Sequence, residues 1–355
     1  LHRGIIDWYR GPIESGMPKH RINLALQGGG ALGAITWGVL DRLLEEPDIS
    51  FEGVSGASAG AMNAVALAHG WAEGGAEGAR RALAAFWTAI GEASYAVQLP
   101  FTPGLPAGFA HSPATFLLGL TRFFSPQQIN PFDINPLRAI VKRQFDFERL
   151  RRASPMRLFV AATHVRRGSL RVFTERELTA EHLLASACLP ALHHAVVIDG
   201  EDYWDGGYTG NPPVYPLVYD CAAADLLIVM LLPRERGDTP SSAEAIRARL
   251  TEIHFNAAFL REMRGLALAC ERARRGWWPF GIERRLRALK FHVIDTEDFL
   301  RELDGGEALN TSLAFLRELR DEGRARADAW LAQHRASLGR QSSADIAALF
   351  GPPAG

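Results

Sequence analysis

Two glycine motifs, one short strand–helix unit apart, constrain this chain more than any other feature. They are Gly28-Gly29-Gly30-Ala31-Leu32-Gly33 and Gly56-Ala57-Ser58-Ala59-Gly60. Each follows an apolar run and precedes a stretch that reads as helix. The second has the form Gly-x-Ser-x-Gly, a sharp strand-to-helix turn that lifts a serine hydroxyl into the open. The first offers a row of backbone N–H groups at a helix start, which suits a developing oxyanion. Together they point to a serine acyl hydrolase that draws its oxyanion hole and nucleophile from consecutive units of one sheet.

The rest of the chain agrees with an α/β architecture. Apolar runs at Ile22–Gln27, Ile49–Val54, Arg157–Thr163, Leu226–Leu231 and Phe291–Ile294 read as strands, with Leu170–Phe173 as a hairpin partner of the third. Helical spacing covers Ala31–Glu45, Ser58–His69, Ala82–Ile90, Leu178–Ser186, Ser242–Ala273 and Thr311–Arg335. Gly70–Arg80 reads as a loop. Alternating strands and helices predict a mostly parallel sheet. From about Tyr95 to Pro136 repeated prolines forbid long regular elements. The segment also carries Phe101, Phe109, Phe116, Phe123 and Phe124. It reads either as a lid and acyl wall over the site or as a packed irregular connection.

Composition narrows the function classes. The 355 residues carry a formal net charge of −1, so no global field favours nucleic acid. Three dispersed cysteines, Cys188, Cys221 and Cys270, form neither a disulfide framework nor a zinc motif. No metal or other cofactor is expected. Dispersed cysteines and a polar, mixed first 20 residues without a signal peptide predict a cytoplasmic setting, peripheral to membranes at most. The chain begins at Leu1, which leaves an upstream targeting segment open.

Several residues compete for the chemical roles. Ser58 is either a nucleophile or a helix N-cap; the flanking Gly56 and Gly60 and the nearby glycine loop favour the nucleophile. A serine needs a base. Asp205, in Tyr203-Trp204-Asp205-Gly206-Gly207, sits where a strand end opens a glycine turn, although an Asp-Gly turn is common without any catalytic role. His193, His194 and His292 are the alternative bases. Gly28–Gly33 also fits a dinucleotide fingerprint, but the next strand ends in the serine turn rather than in the acidic residue that would read a ribose.

These residues together resemble the patatin-like phospholipase family. The resemblance rests on Gln27 through Gly33, on Gly56 through Gly60 and on Asp205-Gly206-Gly207, in that order. Ala185-Ser186-Ala187-Cys188-Leu189-Pro190 and Asn211-Pro212-Pro213 add to it, and it spans roughly residues 20–235. It implies a three-layer α/β/α sandwich with a mostly parallel central sheet. It implies a Ser58–Asp205 dyad with no catalytic histidine, and an oxyanion hole drawn from Gly28, Gly29, Gly30, Ala31 and Ala59. Gly33, Gly56, Gly60, Gly206 and Gly207 would support the motifs. The chain departs from the family at Leu32 and Ala34, where many members carry a basic residue.

The expected substrate is a lipid or other acyl ester, with the five phenylalanines as a candidate acyl pocket. Arg272–Arg287, with Trp277, Trp278 and Phe280, reads as an anionic lipid contact or as a helix end packed on the body. The expected organisation is an arm over 1–20 and a catalytic domain over 21–235 that includes the 94–136 insert. A helical C-terminal extension follows over 236–336 and a flexible tail over 337–355. Two other functions fit less of the pattern: an α/β-hydrolase-type esterase with a Ser–His–Asp triad, and a non-catalytic lipid- or nucleotide-binding module.

Overall fold

The computed structural model describes residues 20–97, 125–237, 239–277, 280–302 and 310–351. Most of the expected arm and all five candidate pocket phenylalanines lie outside the described residues. In chain order the first elements are β1 (His20–Leu26), α1 (Gly33–Leu43), β2 (Ile49–Gly56), α2 (Ala59–Val97), α3 (Pro126–Ile129), α4 (Pro136–Gln144) and α5 (Phe147–Ala153). The middle of the chain gives β3 (Arg157–His164), β4 (Ser169–Thr174), α6 (Ala180–Ser186), β5 (Val196–Ile198), β6 (Glu201–Asp205), α7 (Tyr215–Tyr219) and β7 (Asp225–Val229). It ends with α8 (Ala243–Arg275), α9 (Gly281–Ala288), β8 (Lys290–Ile294), α10 (Glu297–Glu302), α11 (Leu313–His334) and α12 (Ile346–Phe350).

Among the described residues one sheet carries all eight strands in the order β5-β6-β3-β2-β1-β7-β8, with β4 paired to β3. The pairs β1–β2, β1–β7, β2–β3 and β7–β8 are parallel. Side chains alternate across a strand, so each central strand feeds two cores. Leu24, Leu26, Leu227 and Val229 pack with α1, α2 and α11 on one face. Ala25, Leu226, Ile228 and Phe291 pack with α7, α8 and α12 on the other. This is the expected α/β/α sandwich. The C-terminal third is integral to it, because β8 extends the sheet beside β7.

The edge of β3 brings two chain ends together. β4 covers one side of β3 from Phe159 to His164. The other side is shared. β2 runs parallel along it and ends with Gly56 opposite Val160, while β6 runs antiparallel and ends with Asp205 opposite Ala162. The C-terminal ends of β2 and β6 therefore meet head to head, one residue apart along β3.

Two sequence expectations need correction. Gly70–Arg80 is helical almost throughout; only Gly74 (φ −164°, ψ 33°) and Gly75 (φ 60°) leave helical geometry inside α2. The surrounding alanines are strong helix formers, so the glycine pair alone makes the bend. The expected flexible tail instead bonds to the sheet through Ser342, Ser343 and Ala344 and stays packed on the body as far as Phe350. Leu338, Ile346 and Phe350 are buried. The N–H groups of Ser343 and Ala344 donate to the Phe291 carbonyl on edge strand β8. A few apolar residues within a small, polar sequence were enough to dock it.

Candidate active site

Ser58 stands at the junction of β2 and α2 with φ 52°, a left-handed conformation uncommon for a residue with a side chain. The elbow tolerates this because its neighbours over-determine it. A Cβ at Gly60 would lie 2.1 Å from the Leu26 carbonyl oxygen, so only glycine lets α2 start this close to β1. Gly33 and Gly56 sit at similarly close approaches to Ala59 and Gly60. The Ser58 N–H donates to both oxygens of Ser186, at 3.1 Å to the carbonyl and 3.0 Å to Oγ.

Asp205 ends β6 and is fully buried. Its N–H donates to the Cys188 carbonyl at 2.8 Å, and its own carbonyl accepts from Thr163 Oγ1 at 2.7 Å. The turn leaving α6 thus holds both chain ends, Ser58 through Ser186 and Asp205 through Cys188. Gly206 lies flat on β3, where a Cβ would meet the Ala161 oxygen at 2.2 Å. Gly207 donates its N–H to Asp205 Oδ1 at 2.7 Å.

The second carboxylate oxygen, Oδ2, is buried with no hydrogen-bond partner. Burial pushes the Asp205 pKa up to about 7, against the opposing pull of the Gly207 N–H and the Ser58 hydroxyl. Ser58 is near enough to exert that pull, yet its hydroxyl makes no hydrogen bond of normal geometry to Oδ2. A carboxylate with one free oxygen and a pKa near neutrality is suited to taking a proton.

The glycine loop runs from β1 into a single 3-10 turn, Gly30–Leu32, and then into α1. Gly30 has φ 60°. The N–H groups of Gly29, Gly30 and Ala31 start that turn and Ala59 starts α2, so these are the amides that intrahelical bonds leave over. Gly28 does not join them, which corrects the sequence expectation. Its N–H is already committed to Asn211 Oδ1 at 2.6 Å. Gln27 anchors the loop from below, its Oε1 accepting from the Leu231 and Leu232 N–H groups at 2.8 and 3.0 Å.

The histidines do not join the site. His292 is fully buried at the opposite end of the sheet, with Nε2 3.0 Å from Asp225 Oδ1 and Nδ1 2.9 Å from Ser343 Oγ. Neither His193 nor His194 forms a hydrogen bond to Ser58 or Asp205, and burial holds His193 below the ordinary histidine range. Among the described residues no group of His, Cys, Asp and Glu could hold a metal ion, and no helix is long and apolar enough to cross a membrane. In the Arg272–Arg287 stretch the arginines divide. Arg285 caps α7 through the Leu217, Val218, Ala222 and Ala223 carbonyls. Arg272, Arg274 and Arg284 are exposed beside Trp277 and Phe280, which are 85% and 63% exposed.

Sequence reasoning missed the roles of Ser186, Asn211 and Glu262, whose carboxylate accepts the Val214 and Tyr215 N–H groups. Ser186 and Asn211 lay within motifs already singled out, but their work is tertiary and no local pattern signals it. Glu262 sits inside α8 and gave no signal.

The family model for patatin-like phospholipases matches residues 24–218. No curated protein matches the chain. A solved structure, that of VipD from Legionella pneumophila, is similar at 16% identity over 86% of this chain and 67% of that one, with a TM-score of 0.36.

Proposed function

The chain belongs to the patatin-like phospholipase family and is a serine hydrolase of lipid acyl esters; from that premise we propose that Ser58 is its nucleophile and Asp205 its base. One observation carries the assignment. Asp205 Oδ2 is buried without a partner at the strand end that meets the Ser58 elbow.

In this reading Ser58 Oγ attacks the ester carbonyl while Asp205 Oδ2 takes its proton. The carbonyl oxygen, now anionic, is held by amides among Gly29, Gly30, Ala31 and Ala59. Removing one such donor typically costs on the order of 3 kcal/mol of transition-state stabilisation. Collapse expels the alcohol, protonated by Asp205, and leaves an acyl-Ser58. Water then attacks that ester, again losing its proton to Asp205, and Ser58 is released. Burial does the essential tuning, because an ordinary carboxylate would be too weak a base.

An acyl pocket lined by Phe101, Phe109, Phe116, Phe123 and Phe124 is supported only by their sequence pattern; truncating Phe116 should shift the preferred acyl length. Contact of the Arg272–Arg287 stretch with an anionic lipid surface is supported by exposed Trp277 and Phe280 beside arginines. Trp277→Ala should then weaken co-sedimentation with anionic vesicles.

The main test is Ser58→Ala. It should abolish ester hydrolysis while leaving the circular dichroism spectrum unchanged. Turnover retained in that variant would end the nucleophile assignment.

A further inference from the structure

We propose that Asn211 is a positioning residue that sets the oxyanion loop against the nucleophile. The inference rests on the acyl-transfer reading above and adds a residue to it. Asn211 is fully buried, four residues past the turn that supports Asp205. Its side-chain amide grips both backbone groups of one residue. Oδ1 accepts the Gly28 N–H at 2.6 Å, and Nδ2 donates to the Gly28 carbonyl at 3.3 Å. The pairing resembles a rung of a sheet made by a side chain.

Gly28 is where this grip matters. It lies between the anchored end of β1 and the three candidate oxyanion donors. It also touches the elbow, since a Cβ there would lie 2.6 Å from the Ala57 carbonyl oxygen and 2.8 Å from Ser58 Cβ. Fixing Gly28 therefore fixes the spacing between the donors and the attacking oxygen. A misplacement of about 1 Å at a reacting centre can cost on the order of 100-fold in rate.

Asn211 is itself held by a strap anchored outside the loop. The Pro213 carbonyl accepts from Ser55 Oγ on β2. The Val214 and Tyr215 N–H groups donate to the Glu262 carboxylate on α8, at 2.9 and 2.5 Å. The strap thus ties the Asp205 turn, β2 and α8 to the glycine loop. Only a planar group with one acceptor and one donor can serve both sides of Gly28. A leucine leaves two buried backbone groups unpaired. An ionised aspartate accepts from the N–H but repels the carbonyl oxygen; a protonated aspartic acid restores both bonds.

The test uses the full chain with Asn211→Leu, Asn211→Asp and Ser58→Ala as the reference. Asn211→Leu should lower kcat by roughly 100-fold with KM within about twofold. It should weaken, by a similar factor, a trifluoromethyl ketone, which adds Ser Oγ to form an oxyanionic hemiketal. Asn211→Asp should recover relative to wild type as pH is lowered from 8 to 6, because protonation recreates the missing donor. Taking the ratio cancels the titration of Asp205 and Glu262, which both proteins share. If Asn211→Leu does not fold, the pH-dependent ratio for Asn211→Asp decides. Wild-type kcat and inhibitor affinity in Asn211→Leu, or a flat ratio for Asn211→Asp, would overturn the proposal. Activity surviving in Ser58→Ala would instead overturn the reading beneath it.

Discussion

Two buried aspartates stand at opposite ends of this sheet, in contrasting surroundings. Asp225, at the start of β7, is paired to a histidine and to a backbone N–H through one oxygen, Oδ1. His292 Nε2 lies 3.0 Å from its Oδ1, the same oxygen accepts the Gly339 N–H at 2.8 Å, and Ser343 Oγ completes the row beyond the histidine. Burial alone would raise its pKa, but the His292 contact and the Gly339 N–H outweigh that and hold it below the usual range. Asp205, at the end of β6, keeps one oxygen without a partner, and burial wins. The Asp225 row has the residue types of a hydrolytic triad, yet the amides beside it are spent. The N–H groups of Ser343 and Ala344 both go to the Phe291 carbonyl, and that of Gly339 goes to Asp225. The other end has unspent helix-start amides and a strained serine. In the proposed reading, residue types alone do not make a site; a buried oxygen without a partner and helix-start donors beside it do.

The contrast can be broken by exchanging what each aspartate lacks. The largest effect should come from Asp205→Asn, which keeps the shape but cannot take a proton. Hydrolysis should fall by ~10²–10⁴-fold, the usual worth of a general base, and a steady-state assay at pH 8 would show it. Gly30→Ala should come next, since its φ of 60° is strained for any side chain. Gly29→Ala should be milder, because its φ of −179° is extended and a Cβ would meet Leu231 only at 3.4 Å. Comparing kcat for the two variants separates a loop that holds the oxyanion from one that merely turns.

The remaining predictions concern stability, and their signs oppose. A carboxyl whose folded pKa is raised favours the fold at low pH and loses that contribution as pH climbs from the ordinary range to about 7. Asp205→Asn should therefore raise Tm at pH 8 and raise it less at pH 5. Asp225 is depressed, so it contributes stability above the ordinary carboxylate range and loses it as pH falls through its lower folded pKa. Asp225→Asn should lower Tm at pH 8. His292→Ala should destabilise by about 1–3 kcal/mol, as expected when a buried hydrogen-bonded group loses its partner. The kcat of the folded fraction should be unchanged, and thermal melts read beside kcat would check both.

The sequence was most informative where a role is local. The Ser58 elbow and the glycine loop are each set by neighbours within a few residues, so spacing pointed to them; the Asp205 turn is equally local, but an Asp-Gly turn is common, and only the family resemblance singled it out. It was least informative where a role depends on the sheet. Nothing near Asn211 indicates that its amide will reach Gly28, 183 residues away. Nothing near Gly28 indicates that its N–H will be consumed. The C-terminal segment was misread for a related reason. Its composition is small and polar, but three apolar side chains and the open edge of β8 give it a place to dock.

Reactivity is expected at the Asp205 end of the sheet and not at the Asp225 end. Labelling the native chain with a fluorophosphonate and locating the adduct by peptide mass spectrometry tests it most directly. The account predicts one adduct, on Ser58, absent from Ser58→Ala. An adduct on Ser343, or one that persists in Ser58→Ala, would contradict it.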